Sequence, residues 1–192
     1  MPRRSIQFIQ GEYYHIYNRG CNREDIFRSE ENYLYLLRLL RTSIEEHKVR
    51  IIAYCLMPNH YHLLFRQDSE IPVSELIQDV FNRYSKAFNN RFQRTGTLFE
   101  GPFKAVRIDK EGYLVHLCRY IHRNPMGAGL VKLPEHWRFS NYLEWIGKRK
   151  GRLVDVEFVK SRFESPQEYI EFAMKYEPPE KLNKGLSKYT FD

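Results

Sequence analysis

The stretch VRIIAYCLMPNHYHLLFR, residues 49–66, constrains the fold more than any other part of the chain. Two runs rich in Ile, Val, Leu and Tyr flank Pro58-Asn59, a pair that turns a chain sharply, so the stretch reads as a β-hairpin. Strand side chains alternate, so His60 and His62 project from one face while Tyr61 and Leu63 project from the other. Two imidazoles on one face of an apolar strand have two ordinary explanations. Either polar neighbours satisfy them, the commoner case, or one cation takes both nitrogens.

The rest of the chain fits around this hairpin. EYYHIYNR (12–19) alternates and is β-rich, which predicts a first strand. Ser29 is placed to cap a helix from Glu30 to about Lys48, with Tyr33, Leu36, Leu37, Leu40 and Ile44 on one stripe. A second helix is expected from about Val73 to Phe92, with Leu76, Ile77, Val80, Tyr84 and Phe88 inward. GPFKAVRI (101–108) reads as a fourth strand, and a third helix should begin near Asp109 and stop before Pro125. The order β-α-β-β-α-β plus a helix predicts an α+β, ferredoxin-like sandwich, with an antiparallel sheet and two helices on one face. The other face is left for a ligand or for the extra helix.

Beyond Leu133 the pattern weakens, which divides the chain into a ferredoxin-like unit over residues 1–133 and a C-terminal helical extension over 134–192. EHWRFSNYLEW reads as a short amphipathic piece and GKRKGR (147–152) as a basic linker. Ser165 and Glu168 form a capping box, with Pro166 at the first helical position, opening a helix to about Tyr176. The remaining tail, EPPEKLNKGLSKYTFD, is expected to be loosely held.

Composition narrows the partner. A net charge of +7 over 192 residues favours an anionic one, nucleic acid first and an anionic membrane surface second. Aromatic residues make up 15% of the chain, and rings mixed with Lys and Arg suit unpaired bases and phosphates, although most such rings in any fold are core. Cys21, Cys55 and Cys118 form neither a CxxC pair nor a disulfide framework. The first residues lack the apolar core of a signal peptide, and no stretch reaches the roughly 18 apolar residues of a membrane span. These features predict a cytoplasmic protein with no membrane partner.

On the third helix Tyr113, His116, Tyr120 and Asn124 recur at three- and four-residue steps, opposite an apolar stripe of Leu114, Leu117, Cys118 and Ile121. If that helix packs over the sheet near the histidine strand, two imidazoles, an amide oxygen and a phenol meet. Such a mixed nitrogen and oxygen site suits Mg²⁺ or Mn²⁺ bound together with a phosphate. By spacing alone, Tyr120 reads first as a core tyrosine with its hydroxyl at the surface.

The runs YYHIYNRG, LMPNHYHLLF, GTLFEGPFKA, RYIHRNPMGAGLV and WRFSNY, in this order, resemble the HUH tyrosine transposases of the insertion-sequence-200-like kind. The branch associated with repetitive extragenic palindromes is the nearest, and the similarity covers roughly residues 12 to 145. The resemblance implies that His60 and His62 bind a divalent metal, with Asn124 as third ligand and Tyr120 as nucleophile. A Tyr between the two histidines, where the family has an aliphatic residue, is a departure that leaves the ligand pair intact. The implied reaction cleaves and rejoins single-stranded DNA through a 5′-phosphotyrosine link, with recognition of a hairpin and its flank. His116, one turn before Tyr120, is a candidate proton acceptor or a group that orients the ring. Arg19, Lys104, Arg107, Arg83, Lys86, Arg91 and Arg94 are candidate DNA contacts, although a charge run on a helix is usually a solvated face. Lys104 and Arg107 differ in parity and cannot both line one face. Monomer and homodimer are both compatible with this reading. Two rivals remain: a non-catalytic ferredoxin-like nucleic-acid-binding module, and a metallohydrolase in which the histidines activate water.

Overall fold

A computed structural model describes residues 6–175. Its regular elements are β1 (Tyr13–Arg19), α1 (Glu30–Glu46), β2 (Val49–Met57), β3 (His60–Gln67), α2 (Val73–Arg91), β4 (Lys104–Arg107), α3 (Glu111–Gly127), α4 (Tyr142–Trp145), α5 (Val156–Lys160) and α6 (Pro166–Met174). The sheet runs β2-β3-β1-β4, every neighbouring pair antiparallel, which is the strand order of the expected ferredoxin-like sandwich. No described helix is long and apolar enough to cross a membrane.

Strand alternation sorts the core into two layers. Tyr14, Ile16, Tyr61, Leu63 and Phe65 face α1 and α2, while Cys55, Met57 and Leu64 face α3. Tyr61, the departure noted between the histidines, stacks on Phe81 of α2 with ring centroids 4.2 Å apart. A β-bulge interrupts the β2–β3 ladder between Ile51 and Ala53. Ile51 therefore packs toward α1 while both Ile52 and Ala53 pack toward α3.

Helix α1 opens where the sequence predicts. The Asn32 side chain accepts from the backbone N–H groups of Arg28 and Ser29, at 3.0 and 3.1 Å. Its buried stripe includes Leu39, with Leu37 only half-buried. Strand β4 is shorter than the expected 101–108. Pro102 has no N–H to donate, and the carbonyl of Gly101 accepts from the Asn18 side chain instead of a ladder partner.

The end of α3 corrects the sequence reading. Pro125 lies within the last turn, and the helix continues to Gly127. A Schellman motif stops it: Gly129, at φ 71°, donates to the Met126 carbonyl and Leu130 donates to the Pro125 carbonyl. Proline costs one backbone bond so near a helix end, which its buried packing tolerates.

Residues after 133 close the outer edge of β2. The Leu56 N–H donates to the Phe139 carbonyl at 2.9 Å, and Trp137 Nε1 donates to the Leu56 carbonyl at 3.0 Å. Asn141 accepts from the Tyr54 N–H at 2.8 Å and donates to the Ile52 carbonyl at 2.9 Å. Arg149 is no mere linker residue, because its guanidinium clasps Glu144 at 2.7 and 2.8 Å. Helix α6 begins as expected, with Ser165 Oγ accepting from the Glu168 N–H. Its final turn crosses α3, where Arg123 donates to the Ala173 carbonyl at 2.8 Å and Arg119 to that of Phe172 at 3.3 Å. Helix α3 is thereby sandwiched, which explains why Arg119 and His122 are buried as well as its apolar stripe. The tail over 177–192 lies outside the described residues.

Candidate active site

Strand β3 enters from the Pro58-Asn59 turn, so His60 and His62 occupy its first turn-proximal positions on the face that α3 covers. Asn124, in the last full turn of α3, hangs over both. Its Oδ1 lies 3.0 Å from His60 Nε2, and its Nδ2 donates to His62 Nε2 at 3.4 Å. Tyr120, one turn earlier on α3, sets its ring edge-on to His62 with centroids 5.5 Å apart. The two imidazoles themselves stand nearly perpendicular, 5.2 Å apart.

Protonation follows from the partners. His60 meets an amide oxygen at each ring nitrogen, Asn59 Oδ1 at 2.7 Å from Nδ1 and Asn124 Oδ1 at 3.0 Å from Nε2, and a neutral ring has one N–H for the two. With the proton on Nε2 the ring donates to Asn124; with it on Nδ1 the ring donates to Asn59 and leaves an Nε2 lone pair beside Asn124 Oδ1. His62 Nδ1 lies 3.0 Å from His15 Nε2, and an N–H on His62 Nδ1 leaves the Nε2 lone pair for Asn124. Burial pushes His62 well below the ordinary imidazole value, and the neighbouring His15 and His60 add to it. Burial also lowers His60; the Asn124 bond opposes this and the Arg19 charge reinforces it. Both rings are therefore neutral near pH 7, the form that ligates a metal.

This donor set fits a divalent cation. Two imidazole nitrogens and one amide oxygen converge, and His60 Nε2, His62 Nε2 and Asn124 Oδ1 would hold a cation, with the His60 proton then on Nδ1 facing Asn59. Among the described residues no group of three His, Cys, Asp or Glu side chains is arranged around a metal, so the set reaches three only through the amide.

Not every candidate from the sequence converges here. Arg19 lies opposite His60 on β1 and Lys104 lies opposite Tyr17, itself opposite His62, so both share the imidazole face. Arg19 forms a forked ion pair with Glu100 at 2.9 Å. Arg107 lies opposite Tyr14 and takes the other parity. Arg83, Lys86, Arg91 and Arg94 belong to α2 and its C-terminal turn, on the far side of the sheet. His116 Nδ1 accepts from Arg119 at 3.0 Å, and its ring lies 5.3 Å from that of Phe172. Burial and the Arg119 charge lower its pKa.

His15 and Asn59 are the residues that the sequence reading missed. Each holds one imidazole through its Nδ1. His15 shares strand parity with Tyr17 and Arg19, a hint visible in YYHIYNR, but its meeting with His62 needs the β1–β3 register.

The geometry can be set beside known proteins. A sequence model of the family described as "Transposase IS200 like" matches residues 9–124. The chain is similar to the solved structure of a REP-associated tyrosine transposase bound to a REP hairpin, with TM-score 0.66 and 17% identity, over 81% of this chain and 94% of that one. A candidate transposase from Deinococcus radiodurans shows a weaker likeness, with TM-score 0.43 and 16% identity, over 64% of this chain and 95% of that one. No curated protein matches the chain by sequence. The family match takes in all four strands, α1, α2 and α3 through Asn124, with His60, His62 and Tyr120 inside it, and the chain belongs to the IS200-like transposases.

Proposed function

We propose that the protein cleaves and rejoins single-stranded DNA, with Tyr120 as nucleophile and His60, His62 and Asn124 as ligands of Mg²⁺ or Mn²⁺. The observation that carries this reading is the convergence of His60 Nε2 and His62 Nε2 on the Asn124 amide, at 3.0 and 3.4 Å, one helical turn from a tyrosine whose ring meets His62. When bound, the cation supplies Lewis-acid polarisation of the scissile phosphate. The Tyr120 oxygen attacks phosphorus, the bond from phosphorus to the 3′ oxygen breaks, and that oxygen leaves as a 3′-hydroxyl while the phenol proton passes to solvent. The 5′-phosphotyrosine keeps the bond energy, so a second 3′-hydroxyl can reverse the step.

Arg19 and Lys104, on the same sheet face, are the residues we assign to phosphate contacts beside the scissile bond. His116 is given the orienting role. Its Nδ1 lone pair accepts from a guanidinium and its proton is then on Nε2, which leaves no free nitrogen for the phenol proton. From the hairpin bound by the similar solved structure we infer a hairpin-bearing DNA strand as substrate, acted on in the cytoplasm.

The test is a panel of labelled single-stranded oligonucleotides carrying hairpins, incubated with Mg²⁺ or Mn²⁺ and run on a denaturing protein gel. A covalent adduct that disappears in Tyr120→Phe and persists in His116→Gln is expected. Binding without adduct across the panel would instead make the protein a non-catalytic DNA-binding module. Nicking that survives Tyr120→Phe would make it a metallohydrolase.

A further inference from the structure

On the α1 side of the β2 edge lies a cleft of about 650 Å³ that takes no part in the site above. One wall is the outer face of α1, where Glu31, Leu34, Arg38 and Arg41 follow at helical spacing; the other is the strap from Arg138 to Leu153. Six basic side chains line it, Arg38, Arg41, Arg138, Arg149, Lys150 and Arg152, against the carboxylates Glu31 and Glu144. Arg149 neutralises Glu144 at 2.7 Å, Arg91 lies 3.7 Å from Glu31, and Arg138 pairs with Glu30 at 2.9 Å. Arg38, Arg41, Lys150 and Arg152 remain outside ion pairs among the described residues.

The strap is a fixed wall. The Arg149 guanidinium donates to the Arg138 carbonyl at 2.7 Å and also to that of Ser140. Gly151 passes so close to Glu144 that a Cβ there would sit 2.2 Å from its carboxylate oxygen, so only glycine fits while Glu144 is held by Arg149. Beyond the strap, the Asp155 N–H donates to the Ile51 carbonyl.

The aromatic rings of the cleft are already engaged. Phe139 stacks on Tyr33 at 3.8 Å and carries the Arg138 guanidinium 5.6 Å from its centroid, while Tyr54 is buried. The cleft therefore offers focused positive charge without a stacking platform, which matches a phosphate backbone better than unpaired bases. Tyr54 in the cleft precedes Cys55, whose ladder partner is His62 on the opposite face. Cleft and imidazoles are thus one strand apart on the two faces of the sheet.

We propose that this cleft binds the phosphate backbone of the base-paired stem of the DNA whose single strand enters the site at Tyr120. Only the entry of the single strand at Tyr120 rests on the proposed reaction. None of the seven basic residues singled out from the sequence lines the cleft, and its strap lies beyond the family match at residue 124.

The experiment uses the full chain and two fluorescein-labelled DNAs: a hairpin with a single-stranded flank, and the flank alone. Anisotropy titrations between about 50 and about 200 mM salt give affinity and its salt slope. Changing Arg38, Arg41, Lys150 and Arg152 together to Gln should weaken hairpin binding at least about tenfold and lower the slope by about 2 to 3, with flank binding altered less than about twofold. A control with Lys110, Lys132, Lys160 and Lys175 changed to Gln removes the same charge elsewhere and should leave the hairpin preference intact. Equal losses in the control, equal losses for both DNAs, or no loss at all would each overturn the proposal. Failure of the Tyr120 adduct would leave this comparison readable, because it measures binding alone.

Discussion

His15 shows how a residue can matter without touching a substrate. Fully buried on β1, it takes the Nδ1 side of His62 and so fixes which nitrogen His62 offers toward Asn124. Groups that hold a metal-binding imidazole in its tautomer are typically worth about 10- to 100-fold in metal affinity. His15→Phe, which keeps the ring volume, should therefore weaken Mn²⁺ binding by that factor, read from the loss of the free Mn²⁺ signal in electron paramagnetic resonance. An unchanged affinity would mean that His15 only fills space. His60→Ala and His62→Ala should each abolish binding in the same titration. Legibility at this scale divided by range. His60 with His62, and Tyr120 with Asn124, could be read because spacing within one strand or one helix sets which side chains share a face. His15 could not, because its contact spans two strands whose register no local pattern encodes.

At the scale of elements, α3 carries Tyr120 and Asn124, and its position is set from behind. His122 bonds Tyr169 of α6 at 2.6 Å and Asn141 at 2.9 Å, and Asn141 in turn holds the bulged part of β2. Asn141→Leu strips the sheet edge and α3 of this bridge and leaves buried polar groups without it. A loss of about 2–4 kcal/mol is expected, measured as a lower urea midpoint at unchanged m. The helix end offers a finer test. Gly129→Ala should cost about 1 kcal/mol, since its left-handed conformation disfavours a side chain although the space is open. Pro125→Ala should leave the end of α3 in place, visible in unchanged amide exchange from Ala128 to Leu130. The sequence reading put that stop at Pro125 because proline is a strong local mark, whereas the Schellman motif is a set of bonds closed only by the folded turn.

Across the whole molecule, the strand order and both helices of the α1/α2 layer were legible, because apolar periodicity is strong in all of them. Of the extension, only the capped start of α6 was. WRFSNY has too few apolar positions to declare a strand, yet its Phe139 and Asn141 complete the edge of β2 through long-range bonds. A chain ending at residue 133 should lose this cover together with Trp145 and Tyr169, both buried against α3. It is expected to aggregate and to show no cooperative thermal transition by circular dichroism; a sharp transition would show that the extension is dispensable. The closed edge has a consequence for behaviour at high concentration. A sheet recruits further strands only where backbone groups face outward, and a polyanion crowds many copies of a basic protein along its length. Here one margin is sealed by the chain itself, and the other is β4, four residues long and bearing Lys104 and Arg107. Among the described residues the sheet therefore offers little template for strand-by-strand growth, and concentrated protein with a polyanion is expected to stay free of thioflavin-positive fibres.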